Sequence, residues 1–194
     1  MGSDRASGSI AALKDHLRRF FRSHPIELVP IDGGPIRQRV PDFHIFRVAP
    51  GPRTRLWTFV TAGVWAATEH DGHGLEFILA TWDDDEACLE RLKISAFYHV
   101  GPPHQRLDLG HTVPIGEPWV AGSACDHFLV SLPYPYGPEL EVCAWPGGQA
   151  RLLWLLPITK AERDFKAANG LEALESRLDA QGVNFWDPQR RSVV

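Results

Sequence analysis

A chain of 194 residues, 44% hydrophobic and 23% charged, is long enough to bury one core without covalent staples, and this composition excludes wholesale disorder. A net charge of −4 with nine neutral His supplies no basic field for nucleic acid, and no apolar run approaches the ~20 residues of a membrane span. Cys88, Cys125 and Cys143 are odd in number and far apart, and no apolar segment backs the polar start Met1–Ser9; a disulfide framework and a signal peptide are not expected, and the cytoplasm is the expected compartment.

Residues 1–9 are small and polar and are expected to be flexible. Ser9 is placed to cap a first helix carrying Ile10, Leu13, Leu17, Phe20 and Phe21 on one stripe, with Arg18, Arg19 and Arg22 in its last turn. His24-Pro25 ends it. Ile26–Val29 reads as a short strand stopped by Pro30 and an Asp32-Gly33-Gly34 turn. Phe43–Val48, Leu56–Thr61 and Leu75–Thr81 read as strands, the last two an antiparallel pair joined by a loop, Gly63–Gly74, too polar for the core. Asp83–Glu86 then opens a helix with Leu89, Leu92, Ala96 and Phe97, since carboxylates suit the unpaired N–H groups of a first turn. A Gly/Pro-rich passage with one extended piece, His111–Ile115, leads to strands at His127–Leu132 and Leu140–Trp145.

Leu152–Leu156 is apolar on both faces, as a central strand covered on both sides requires, and Pro157 is expected to end it. Thr159-Lys160-Ala161-Glu162 is a capping box, Asn169-Gly170 a C-cap pair, and Leu171, Leu174 and Leu178 mark a second helix ending at Gly182. Arg190 and Arg191 are expected to tie the tail down through carboxylates such as Asp187. The expectation is one domain over residues 1–194 in the α+β class: a mostly antiparallel central sheet flanked by N-terminal, middle and C-terminal helices.

The chemistry-bearing patterns are few. Gly33-Gly34 and Gly147-Gly148 carry no phosphate-loop or dinucleotide signature, and there is no G-x-S-x-G elbow, so no cofactor is implied. Glu69-His70-Asp71-Gly72-His73 packs two His and two carboxylates into five residues. It reads either as a solvated turn or as part of a metal site, which would make the chain a metal-dependent hydrolase or small-ligand enzyme using Glu69, His70, His73 and His127. Cys125-Asp126-His127 brings a thiol near an imidazole, but a base two residues along a strand is poorly placed to activate it. His99, His104 and His111 surround the Pro-rich passage and read as loop residues or a pH-sensitive contact surface. Tyr134-Pro135-Tyr136-Gly137-Pro138 reads either as rigid aromatic contact surface or as tyrosines packed on their own domain.

Several landmarks resemble the suppressor of fused family. Leu152–Thr159 followed by Glu162 is similar to the strand-to-helix passage near the end of that domain, and Asn169–Leu174 to its next helix start. Asp187 with Arg190-Arg191-Ser192-Val193 resembles its closing tail; Trp57–Gly63 and Leu75–Leu79 resemble its central strands, in the right order from Leu56 to Val194. The resemblance implies an α+β domain without a catalytic role. Its eukaryotic members bind transcription factors of the hedgehog pathway through an extended peptide, and its small bacterial members resemble immunity proteins against polymorphic toxins. It also implies a carboxylate after Gly110 in the animal proteins, where this chain has His111, so no peptide-contact residue is carried over. The reading that follows is a non-catalytic module that sequesters a protein partner, plainly of the immunity kind if the partner is a toxin. It would act through a strand edge or groove near Tyr98 and His111, with Trp119, Tyr134 and Tyr136 as anchors. Neither nucleic acid nor membrane is an expected partner; a homodimer contact is the remaining alternative.

Overall fold

Strand β8 (Gly148–Thr159) organises the molecule. Every side chain from Leu152 to Thr159 is buried, so this segment needs cover on both faces and partners along it. In the computed structural model, which describes the backbone of residues 2–194 and the side chains of residues 7–194, β8 pairs in parallel with β4 (His73–Thr81) on one side. On the other it pairs antiparallel with β7 (Val142–Trp145) and β6 (Cys125–Ser131). The sheet extends from β4 through β3 (Trp57–Ala62) and β2 (His44–Val48) to an edge at β1 (Ile26–Pro30), and from β6 to the other edge at β5 (Thr112–Pro114). Only the β4–β8 pairing is parallel among these ladders.

Helices lie on both faces. On one, α2 (Pro35–Arg39), α4 (Glu86–His99) and the passage after α4 cover Phe59, Phe77, Leu79, Phe128, Val130, Leu153 and Leu155. On the other, α1 (Gly2–Phe21) sets Leu13, Leu17, Phe20 and Phe21 against Phe46, Val60, Ile78 and Leu152. Further along that face, α7 (Leu171–Ala180) and the tail set Leu174, Leu178 and Val193 against Leu129, Trp154, Leu156 and Ile158. Between β8 and α7, α6 (Lys160–Asn169) begins at the expected capping box: Glu162 N–H donates to Thr159 Oγ1 at 3.2 Å and Thr159 N–H to Glu162 Oε2 at 2.8 Å.

Four expectations need correction. The first helix already runs from Gly2, and Ser9 is a buried residue inside it, not its cap; Met1 lies outside the described residues. The connection after β3 is not all polar loop: α3 (Val64–Thr68) buries Val64, Trp65 and Thr68. Its start is organised from a distance, by buried Glu76 of β4, which accepts from Gly63 N–H at 2.9 Å, Trp65 N–H at 3.0 Å and the Thr61 hydroxyl at 2.6 Å. Gly63 is required there, because φ is +105° and a Cβ would sit 2.8 Å from the Asp42 carbonyl.

Pro157 does not end β8. Its carbonyl accepts from Arg190 at 2.8 Å, so its N and C=O face away from β6 and the missing N–H removes no ladder bond. Arg190 itself pairs with Glu162 instead of Asp187, whose carboxylate accepts from Gln189 N–H. Two further short helices complete the connections: α5 (Pro138–Glu141) precedes β7, and a 3₁₀ turn (Pro103–Gln105) follows α4. Among the described residues no helix is long and apolar enough to cross a membrane.

Candidate functional site

The sheet edge at β5 opens into a cleft. Tyr98, in the last turn of α4, shares a hollow of about 260 Å³ with Arg106, His111, Thr112 and Lys166 of α6. His111 is exposed and Tyr98 half-buried. Along β5, Val130 N–H donates to His111 O and Ile115 N–H to Asp126 O. The alternation of a strand therefore turns the N–H and C=O of Thr112 outward, away from β6. Lys166 Nζ donates to Gly110 O at the entrance, and partial burial lowers its ammonium below the ordinary lysine range. His111 Nδ1 lies 3.2 Å from Arg106 O and from Asp108 N, so the ring is positioned by its own loop in either tautomer.

An adjoining cleft of about 630 Å³ shares Arg106 and His111 and reaches His70, His73 and Arg151. Its floor holds His99, 3% exposed, whose Nδ1 accepts from Leu107 N–H at 2.9 Å while Nε2–H donates to Thr68 Oγ1 at 3.1 Å. Burial first, then the Arg106 charge, pushes this imidazole down to about 4, so it is neutral at pH 7 and ties the passage after α4 to α3. The three histidines grouped by sequence thus separate: His99 is a core residue, while His104 and His111 are exposed.

The Glu69–His73 segment is a tight hairpin. His70 and His73 exchange backbone bonds at 2.8 and 2.9 Å, and Asp71 (φ 50°) with Gly72 (φ 78°) forms a turn of the type that suits strand twist. Glu69 Oε2 accepts from Gly72 N–H, and His70 Nε2 lies 3.3 Å from Asp71. Among the described residues no group of three or more His, Cys, Asp or Glu is arranged to hold a metal ion. His127 lies apart, its Nδ1 2.7 Å from Asp126, with a bulge between it and Cys125. Burial pushes the thiols up, Cys88 to about 12, Cys143 to about 11, and Cys125 likewise upward.

The remaining sequence candidates divide. Trp119 is 1% exposed and Tyr136 is 7% exposed, with its hydroxyl 2.7 Å from Thr58 Oγ1 and its ring against Phe20 and Phe21. Both are core residues, Trp119 in the cluster that α4 covers and Tyr136 in the one that α1 covers. Tyr134 is 63% exposed and stands in the wall of a separate hollow of about 520 Å³, with Pro135, Trp154, Phe185, Trp186, Glu175 and Asp179.

A family model described as suppressor of fused protein (SUFU) matches residues 40–191. The chain belongs to the suppressor of fused family. A crystal structure of a SUFU (suppressor of fused protein) homolog from Neisseria gonorrhoeae FA 1090 is 35% identical, with a TM-score of 0.84 over 97% of this chain and 98% of that one. The Sufu–Fu complex structure gives a TM-score of 0.69 at 15% identity, covering 95% of this chain and 92% of that one. Drosophila Suppressor of Fused gives 0.66 at 12% identity over 95% of this chain, which spans 51% of the Drosophila protein. The last two share the fold. No curated protein matches. Relative to the SUFU match, α1, β1 and α2 lie before its first residue, whereas both clefts fall within it. Arg106 and Lys166 were not legible as cleft residues, because only the packing of α6 against β6 brings Lys166 to the passage that carries Arg106; the aromatic residues Trp154, Phe185 and Trp186 were visible as types but not as one wall.

Proposed function

We propose that the chain is a protein-binding module that holds a partner without transforming it, an extended segment of the partner adding to the free edge of β5 in the Tyr98–His111 cleft. The observation that carries this reading is the position of β5. It is the last strand of the sheet, its Thr112 N–H and C=O turn away from β6, and Thr112 lines the hollow that Tyr98, His111 and Lys166 share. Main-chain pairing would supply affinity, and Tyr98, His111 and Lys166 would select side chains. Buried, protonated thiols and a self-satisfied His hairpin support binding over catalysis. The Sufu–Fu complex supports a protein partner for the fold.

Within this reading the partner is a toxin that the chain neutralises as an immunity protein in the cytoplasm, a setting that suits three free buried cysteines. The test is co-expression with the toxin encoded beside its gene. Growth rescued by the wild-type chain and not by Thr112→Pro supports the proposal. Equal rescue by both, or none by either, sinks it. If light scattering instead gives a stable dimer that Thr112→Pro dissociates, the β5 edge serves a second copy of this chain.

A further inference from the structure

The hollow that contains Tyr134 is chemically unlike the β5 cleft and shares no lining residue with it. Its wall is aromatic. Trp154 of β8 and Trp186 of the tail are stacked with centroids 6.1 Å apart and planes at 28°, and Phe185 meets Trp154 edge-on at 5.5 Å. Trp82, half exposed, extends the row 6.5 Å beyond Trp186. Trp82, Phe185 and Trp186 keep apolar surface in contact with water here, and contiguous exposed apolar surface is an interaction surface more often than idle surface.

Its rim is acidic. Glu175 and Asp179 stand one turn apart on α7, both lining the hollow, with Glu172 a turn before. Among the described residues no Lys, Arg or His lies within ion-pairing distance of these three carboxylates. Burial first, then the neighbouring charges of Asp179 and Glu172, push the Glu175 carboxyl upward. The indole N–H groups of Trp154 and Trp186 are both buried without a hydrogen-bond acceptor, and Trp154 as a whole is 2% exposed.

We propose that this hollow receives an arginine side chain of a partner polypeptide, its guanidinium lying against the half-buried rings of Phe185 and Trp186 and paired with Glu175 and Asp179. Arginine fits better than lysine because its planar fork can stack on an indole and reach two carboxylates at once. The molecule makes the same stack internally, with Arg39 over Phe97 and Arg53 over Phe20, each at 3.7 Å. The site does not depend on the β5 reading, and either can fail alone.

The test is a titration of the full chain, with ¹⁵N-labelled indoles, by the peptide Ac-Ala-Arg-Ala-NH2 and its citrulline counterpart, which keeps the shape and loses the charge. Saturable shifts of the Trp154 and Trp186 indole signals are expected with the arginine peptide, at least tenfold weaker with citrulline. The Glu175→Gln/Asp179→Asn double variant, altered only at half-exposed and exposed positions, should keep the folded spectrum and lose that preference. Absence of saturable shifts, or equal binding of the two peptides, overturns the proposal. Equal binding of methylguanidinium overturns the polypeptide assignment, and shifts that follow protein concentration alone would mean that a second copy fills the hollow.

Discussion

Replacing Arg190 by Met should cost the fold more than any surface substitution. Glu162 is fully buried and Arg190 is 8% exposed. The guanidinium donates to both carboxylate oxygens at 2.8 and 2.7 Å and to the Pro157 carbonyl at 2.8 Å. Thr159 N–H and Val193 N–H complete the carboxylate, so one ion pair joins the end of β8, the start of α6 and the tail. Burial alone would raise the Glu162 carboxyl; the Arg190 hydrogen bonds and those N–H groups outweigh it and hold it below the ordinary range. Methionine fills the volume but leaves a buried carboxylate without a counter-ion, which costs roughly 3–5 kcal/mol. At this chain length that is a fall in Tm of roughly 6–20 °C. Adding Glu162→Gln removes the orphaned charge and should recover part of the loss, because the two positions act as a unit. Urea and thermal unfolding followed by circular dichroism measure both. A single variant within about 1 kcal/mol of wild type, or a double variant equal to the sum of the singles, would refute the reasoning.

Three further outcomes follow from buried groups. His99, at about 4 when folded against an ordinary 6.5, binds its proton in the unfolded chain first; its stabilisation is complete above pH 6.5 and declines as pH falls towards 4. In His99→Gln the stability lost between pH 7 and pH 5 should shrink by roughly 2 kcal/mol in urea titrations at the two pH values. Glu76 has the opposite slope: burial raises its carboxyl to about 7, so its contribution is complete below 4.5 and declines as pH rises through 7. Glu76→Gln should therefore steepen the acid-side loss by roughly 2 kcal/mol between pH 7 and pH 5, since it removes the compensating slope. Tyr136→Phe should cost about 1–2 kcal/mol by urea unfolding, through the lost Thr58 bond, and leave partner affinity unchanged, because this tyrosine faces the core.

What the sequence disclosed follows the range of the forces involved. The capping box, the acidic start of α4, the Gly170 junction and most strands were legible because a few neighbouring residues determine them. The α3 helix was not, since its first N–H groups are satisfied by Glu76, more than ten residues onward and on another strand. Pro157 misled because a proline's effect in a sheet depends on which side its nitrogen faces, and that is set by Arg190 and β6. The same limit governs the sites. Tyr98 and His111 could be named as neighbours of one groove, yet Lys166 joins them only through the packing of α6. Trp119, Tyr134 and Tyr136 are alike as sequence features, and only tertiary burial separates the exposed one from the two in the core.

The central claim is that a partner adds to the β5 edge, and its most direct test is the affinity of that partner for the wild-type chain against Thr112→Pro, measured on the complex captured at native expression levels. Proline at this position removes one outward N–H and leaves the bonds to β6 in place, so the variant should melt close to wild type. The account predicts at least a tenfold loss of affinity in that folded variant. A partner bound equally by both proteins, or no partner bound by the wild-type chain, would contradict it.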